Sequence, residues 1–219
     1  MAKPRMSLSQ TSLFSREDEL LVGTIRELAS NPKVLGFIED VINDCTPDKP
    51  YLLFIPETIH KPLTKSRLYK MVKDFLRDNA FGAKCHVVFI SNVLGICPEE
   101  YAACETSNFK LFGGFPDRTV IGRTAEIIAR YLEKTKNNYE KRMVYARGSY
   151  LETVKMASEN SGVNIESILT ESDLVWLKRL GIKWMKIGLK MPECFSIFKK
   201  RIAEITDNED VQMKISEFR

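Results

Sequence analysis

Two short apolar runs, Tyr51–Ile55 (YLLFI) and Cys85–Ile90 (CHVVFI), constrain what this chain can fold into more than any other feature. Both are rich in aromatic and β-branched residues and lack the polar alternation of a half-solvated strand. Near-continuous runs of this kind belong to strands buried on both faces. Pro56 halts the first, because proline cannot donate to a central ladder. A polar loop follows, and residues 65–77 then place Leu68, Met71, Val72 and Phe75 on one helical face. The second run leads through Ser91–Pro98 (SNVLGICP) to Pro98-Glu99-Glu100, which reads as a helix start. Met143–Ala146 is a third strand, followed by the loop Arg147-Gly148-Ser149 and a helix over 150–160 that stops at Ser161-Gly162. Strands alternating with helices imply right-handed crossovers and a sheet covered on both faces. The expected fold is therefore α/β: a three-layer α/β/α arrangement with a short parallel sheet. Such sheets bind ligands outside the carboxyl ends of their strands, where the loops 56–66, 91–98 and 147–149 are expected to meet.

The flanks read as helical. Ser15 and Asp18 form a helix-start box ahead of Leu20, Leu21, Ile25 and Leu28. Asn31-Pro32 starts a second helix, with the stripe Val34, Ile38, Val41 and Ile42. Residues 106–117 fit neither period, and Arg118–Lys134 returns to helix with Ile121, Ile127, Ile128, Tyr131 and Leu132 apolar. Thr170 and Asp173 open a helix carrying Trp176, Leu180 and Trp184 four residues apart, which assigns both tryptophans to packing. After Pro192, an amphipathic helix carries Phe195, Ile197, Phe198, Ile202 and Ile205. The chain divides into an N-terminal helical segment (1–47), an α/β core (48–162) and a basic helical segment (163–219).

Composition narrows the class. A hydrophobic fraction of 44% supplies a sizeable core, and 28% charge argues against wholesale disorder. No apolar run approaches the roughly 18 residues of a spanning helix, and the N-terminus lacks the apolar centre of a secretory signal. Five cysteines without a CxxC pair fit reduced thiols and a cytoplasmic protein. With two histidines far apart in sequence, no metal and no cofactor are expected. The net charge of +4 is unevenly spread. Lys178, Arg179, Lys183, Lys186, Lys190, Lys199, Lys200 and Arg201 face only Glu193 between 178 and 201, which suggests a segment that meets a polyanion.

The loop after the first strand concentrates unusual chemistry: Glu57, His60, Lys61, Ser66 and Arg67. His60 and Lys61 suit holding an anion or moving a proton, or else they belong to a solvated loop. Ser66 and Arg67 at a helix start suit a phosphate grip, or a cap beside an exposed arginine. Cys97 is a nucleophile if a cation lowers its pKa, and otherwise an inert buried thiol. His86, inside a strand, reads as a core residue.

These residues also carry a resemblance. Pro56-Glu57-x3-Lys61-Pro62-Leu63-x2-Ser66-x2-Tyr69 resembles, without a gap, the archaeosine synthase signature Pro-Cys-x3-Lys-Pro-Tyr-x2-Ser-x2-His. Leu94-Gly95-Ile96-Cys97-Pro98-Glu99-Glu100 is similar to that family's Leu-Gly-x-x-Pro-x-Glu segment, and Gly148-Ser149-Tyr150 to its Gly-x-Tyr. The resemblance spans residues 51–157 and implies a core like that of uracil-DNA glycosylases. It implies tRNA as partner, with a further tRNA-modification subunit as a second expected partner, and no membrane. The activity it implies is addition of an amine to the nitrile of 7-cyano-7-deazaguanine in tRNA. A thiolate adds to such a nitrile to give a thioimidate that an amine resolves. On this alignment Glu57 stands where the family has cysteine, Leu63 where it has tyrosine and Tyr69 where it has histidine. The expected catalytic set is Glu57, His60 and Cys97. The expected substrate set is Pro56, Lys61, Ser66, Arg67, Ser91, Gly95 and Gly148, and the eight basic residues of 178–201 are expected to face tRNA. The alternative is a catalytically inactive module that binds tRNA or a partner. Base excision by analogy of fold is a third reading.

Overall fold

The computed structural model describes residues 20–59, 61–78, 81–112, 115–180 and 188–217, with side chains to residue 205. In chain order, β1 (Val22–Gly23) precedes α1 (Ile25–Ala29) and α2 (Pro32–Asp44). Then come β2 (Tyr51–Pro56), α3 (Arg67–Arg77), the short α4 (Phe81–Lys84), β3 (Cys85–Ser91), β4 (Gly95–Pro98) and β5 (Lys110–Leu111). The remainder is α5 (Arg118–Lys134), β6 (Lys141–Val144), α6 (Ser149–Ser161), β7 (Glu166–Ser167), α7 (Glu171–Arg179) and α8 (Pro192–Glu217).

The main sheet runs β4-β3-β2-β6-β7. β3, β2, β6 and β7 are mutually parallel, as the crossovers require, while β4 lies antiparallel on β3 at the edge. Every residue of β2 and β3 is buried, which is why their sequences read as unbroken apolar runs. Successive side chains leave opposite faces of the sheet. On one face Phe54 meets Tyr131 of α5 edge-on. On the other, Tyr51 stacks on Phe81 of α4, and Tyr145, just past β6, packs on Phe198 of α8, which also meets Phe75 of α3. The protein is thus a three-layer α/β/α structure around a mixed sheet.

The antiparallel edge corrects the reading of Ser91–Pro98 as a loop. The Ser91 hydroxyl accepts the amides of Val93 and Leu94 at 3.2 and 3.1 Å and tightens the reversal. Gly95 then takes φ +73°, and the chain pairs back along β3. The helix expected after Pro98 is a single 3-10 turn, Glu99–Tyr101.

Local chemistry sets the helix ends. Asn31 caps α2 through the Lys33 amide, with Pro32 in its first turn, and Val34, Ile38, Val41 and Ile42 are its buried face. Asp117 caps α5, and Gly162 ends α6 in the left-handed conformation. The first helix departs from expectation. Leu20 and Leu21 lie outside any helix, and the helix that carries Ile25 and Leu28 starts at a Thr24–Glu27 capping box; the Ser15–Asp18 start lies outside the described residues.

Trp176 departs too. It is 48% exposed, as is Leu180 at 49%, whereas Leu177 is fully buried against Cys194 of α8. α7 rests on α8 through Leu174 and Leu177, so its packed face lies one position beyond the one that the tryptophan spacing marked. Trp184 lies outside the described residues. The main core gathers Ile25 to Ile42, the central strands, and Phe198, Ile202 and Ile205 of α8 into one cluster.

Candidate functional site

Strand order places the candidate site. From β2 the chain crosses through α3 to β3 on one side, and β6 lies on the other. The connections after β2 and β6 therefore diverge, the topology that in open α/β sheets places ligand sites at the carboxyl ends. Glu57 follows β2 directly, its amide donating to the Ile90 carbonyl at 2.8 Å. Ser91 and Asn92 end β3, and Gly148-Ser149-Tyr150 follow β6 into α6.

At this point the loops meet on one carboxylate. Glu57 Oε2 accepts from Lys61 Nζ at 2.7 Å and from Ser91 Oγ at 3.0 Å, and Oε1 accepts the Asn92 amide at 2.8 Å. Asn92 Nδ2 donates onward to the Tyr150 hydroxyl at 3.1 Å. Both charged side chains are nearly closed off, Glu57 5% and Lys61 8% exposed. The Lys61 ammonium also lies 4.0 Å from the centroid of the Phe109 ring, a cation–π contact. Burial first, and then the Glu57 charge, push the Tyr150 hydroxyl well above its ordinary pKa, so it stays protonated.

The surrounding residues fix this arrangement. Leu63 is fully buried, and Ser66, 1% exposed, caps α3 by accepting the Tyr69 amide at 3.3 Å. Ser66 is thus a cap, and Arg67 stands exposed in the first turn of α3. Pro56 is buried opposite Ile90. Arg123 of α5 donates to the Val93 carbonyl at 3.1 Å and the Ala29 carbonyl at 2.9 Å, pinning the β3–β4 turn. A Cβ on Gly95 would lie 2.4 Å from Ile127 Cγ2, so glycine is required there by space as well as by φ. Gly148 needs its φ of +59° to turn from β6 into α6.

Cys97 is fully buried in β4. Burial above all, and then the neighbouring Cys104, hold its thiol well above the ordinary range; Lys61 pulls the other way without reversing this. A thiolate nucleophile is not what this position presents. Tyr69 donates to Glu99 Oε2 at 3.2 Å, and burial followed by the Glu99 charge raises its pKa. Glu99 also takes Lys73 at 2.7 Å and Lys49 at 2.9 Å. Burial by itself would raise its carboxyl pKa; the two lysines together outweigh that and hold it low.

Of the residues expected here, Glu57, Lys61 and Ser91 come together, with Pro56 beneath them. His60 lies outside the described residues. Asn92, Tyr150 and Phe109 complete the cluster without having been singled out for it. Asn92 enters through a backbone amide, which no side-chain pattern marks. The basic segment is divided: Lys178, Arg179, Lys190, Lys199 and Lys200 are exposed, Lys200 and Arg201 pair with Glu204 at 3.9 and 3.4 Å, and Lys183 and Lys186 lie outside the described residues. Among the described residues no helix is long and apolar enough to cross a membrane, and no three His, Cys, Asp or Glu are grouped to hold a metal.

No family model matches this chain, and no curated protein matches it. Among solved structures it is similar to the crystal structure of AF0587, a protein of unknown function. The TM-score is 0.52 at 16% identity, over 76% of this chain and 49% of that one. This chain spans about half the length of that neighbour, and at such identity the likeness is one of fold alone.

Proposed function

We propose that this protein is a catalytically inactive relative of the archaeosine-type tRNA-modification proteins and that it works by binding tRNA. The observation that carries this reading is the Glu57 carboxylate. It occupies the position of the family's nucleophilic cysteine, and three donors from its own fold already hold it. A carboxylate with three of its roughly four acceptor positions filled, one of them by a lysine, is a poor nucleophile toward a nitrile and a weakened base toward an amine. The other two changed signature positions agree: Leu63 is core, and Tyr69 is engaged with Glu99. Binding is supported by the exposed cations Arg179, Lys190, Lys199 and Lys200, with the half-exposed Trp176 on the same helix as Arg179. Cations beside an aromatic ring suit a phosphate backbone and an unstacked base.

The test is a tRNA titration at several salt concentrations. Affinity should fall steeply with salt, by about 0.7–0.9 in log–log slope per neutralised phosphate. Replacing Arg179, Lys190, Lys199 and Lys200 by alanine should flatten that slope, and nitrile-bearing tRNA incubated with amine donors should keep its mass. Absence of tRNA affinity at low salt overturns the binding reading, and a new nucleoside mass overturns the inactive one.

A further inference from the structure

A second set of buried polar groups lies away from the Glu57 cluster and plays no part in it. His86 of β3 is 5% exposed, Tyr139 4%, Tyr131 of α5 fully buried and Cys45, which caps α2, 5% exposed. They form one unbranched hydrogen-bonded line. Cys45 Sγ lies 3.7 Å from Tyr131 Oη, Tyr131 Oη lies 2.6 Å from Tyr139 Oη, and Tyr139 Oη lies 2.6 Å from His86 Nδ1. His86 Nε2 lies 3.1 Å from Glu100 Oε2, whose side chain is 49% exposed. The line thus leads from the surface, through the seam between β3 and α5, to the end of α2.

Donor and acceptor counting fixes its direction. A carboxylate only accepts, so Nε2 must carry a proton. In a neutral imidazole Nδ1 then accepts, which makes Tyr139 its donor, Tyr131 the donor to Tyr139, and the Cys45 thiol the donor to Tyr131. Every hydroxyl points toward His86. If His86 binds a second proton, Nδ1 becomes a donor and Tyr139 must accept from it. The Tyr139 proton then turns to Tyr131, the Tyr131 proton turns to Cys45 Sγ, and the thiol becomes an acceptor. One proton from solvent forms one N–H bond; no other covalent bond changes.

We propose that this line is a pH-sensitive switch in which protonation of His86 reverses the hydrogen-bond direction as far as Cys45. Two charged groups of opposite sign lie along the line: the Glu100 carboxylate on His86 Nε2, and the Arg142 guanidinium of β6, 5.7 Å from the Tyr139 ring centroid and held by the Thr135 and Lys136 carbonyls. α5 contributes only the neutral Tyr131 hydroxyl to the line. Burial first pushes the Cys45 thiol up to about 11, with its Tyr131 contact opposing, so it stays a thiol in both arrangements at moderate pH.

Two spectroscopic readouts test this on the whole chain. Side-chain 15N spectra, with His60 identified by His60→Gln, should show His86 protonated at Nε2 alone in its neutral form and at both nitrogens in its charged form. The infrared S–H band of Cys45, isolated by subtracting the spectrum of Cys45→Ala or, if that variant does not fold, Cys45→Ser, should move to higher frequency over the same pH interval. Tyr131→Phe cuts the line between Tyr139 and Cys45, so it should leave the His86 change in place and abolish the Cys45 shift. A neutral His86 protonated at Nδ1, or a Cys45 band that ignores the charging of His86, overturns the proposal.

Discussion

Glu57 and Lys61 are four residues apart in a loop, and from their spacing alone both look free to meet a ligand. Folding spends them on each other. A charge taken out of water needs a partner and filled hydrogen-bond positions, and Glu57 finds three donors while Lys61 finds a carboxylate and an aromatic face. Replacing Glu57 by glutamine keeps the shape but leaves the Lys61 ammonium with no counter-charge and turns an amide NH2 toward a donor, either Lys61 and Ser91 or the Asn92 amide. Glu57→Gln should therefore cost about 3–5 kcal/mol in denaturant unfolding, and a second change, Lys61→Met, should recover most of that loss. A cost below about 1 kcal/mol for Glu57→Gln, the range of an exposed ion pair, would show that the carboxylate is not the latch described. The sequence made these residues conspicuous and brought the loops of Asn92 and Tyr150 to the same sheet end; it did not disclose the Asn92 amide as a donor to Glu57, because a backbone group carries no side-chain signal.

At the scale of elements, ends were more legible than faces. Asn31-Pro32 and Ser161-Gly162 act within a few residues of themselves, so their chemistry is written locally. Asp117 caps α5 by the same rule, through the Val120 amide at 2.9 Å. Faces depend on what lies opposite. α2 faces the core, and its stripe read correctly. α7 faces α8, and its tryptophan spacing pointed to the wrong side. The β3–β4 reversal was missed because its cause is spread over three elements: the Ser91 hydroxyl, the Arg123 guanidinium of α5, and the close approach of Ile127 to Gly95. Gly95→Ala combines a left-handed conformation that alanine resists with a Cβ inside the Ile127 side chain. We expect a loss of about 2–5 kcal/mol by thermal or denaturant unfolding, whereas Gly36→Ala, where nothing lies within 4 Å, should be neutral or stabilising.

For the whole molecule, the boundary near residue 162 marks a change in sequence character, while the core crosses it. β7 extends the sheet beside β6, and Phe198 packs on Tyr145 and Phe75. A chain ended at Gly162 would expose those two aromatic residues and unpair the outer edge of β6. It should lose the cooperative unfolding transition of the full chain, or show a midpoint many degrees lower, by circular dichroism during heating. A truncated chain that melts like the full one would show that residues 163–219 contribute no stability.

The sequence by itself determined what acts over short distances or demands full burial. That covers the buried strands β2 and β3, the alternation that makes a parallel sheet, the helix caps, and the presence of unusual polar chemistry after β2. Only the tertiary structure decided the rest: the antiparallel edge, the exposed Trp176, the burial of Cys97, and the pairing of Glu57 with Lys61, Ser91 and the Asn92 amide. The physical reason is the same in each case. Propensity and capping are properties of neighbours in sequence, whereas burial and the partnering of charges are properties of neighbours in space, and the groups that satisfy Glu57 reach it from both Ser91 and Asn92, more than thirty residues away.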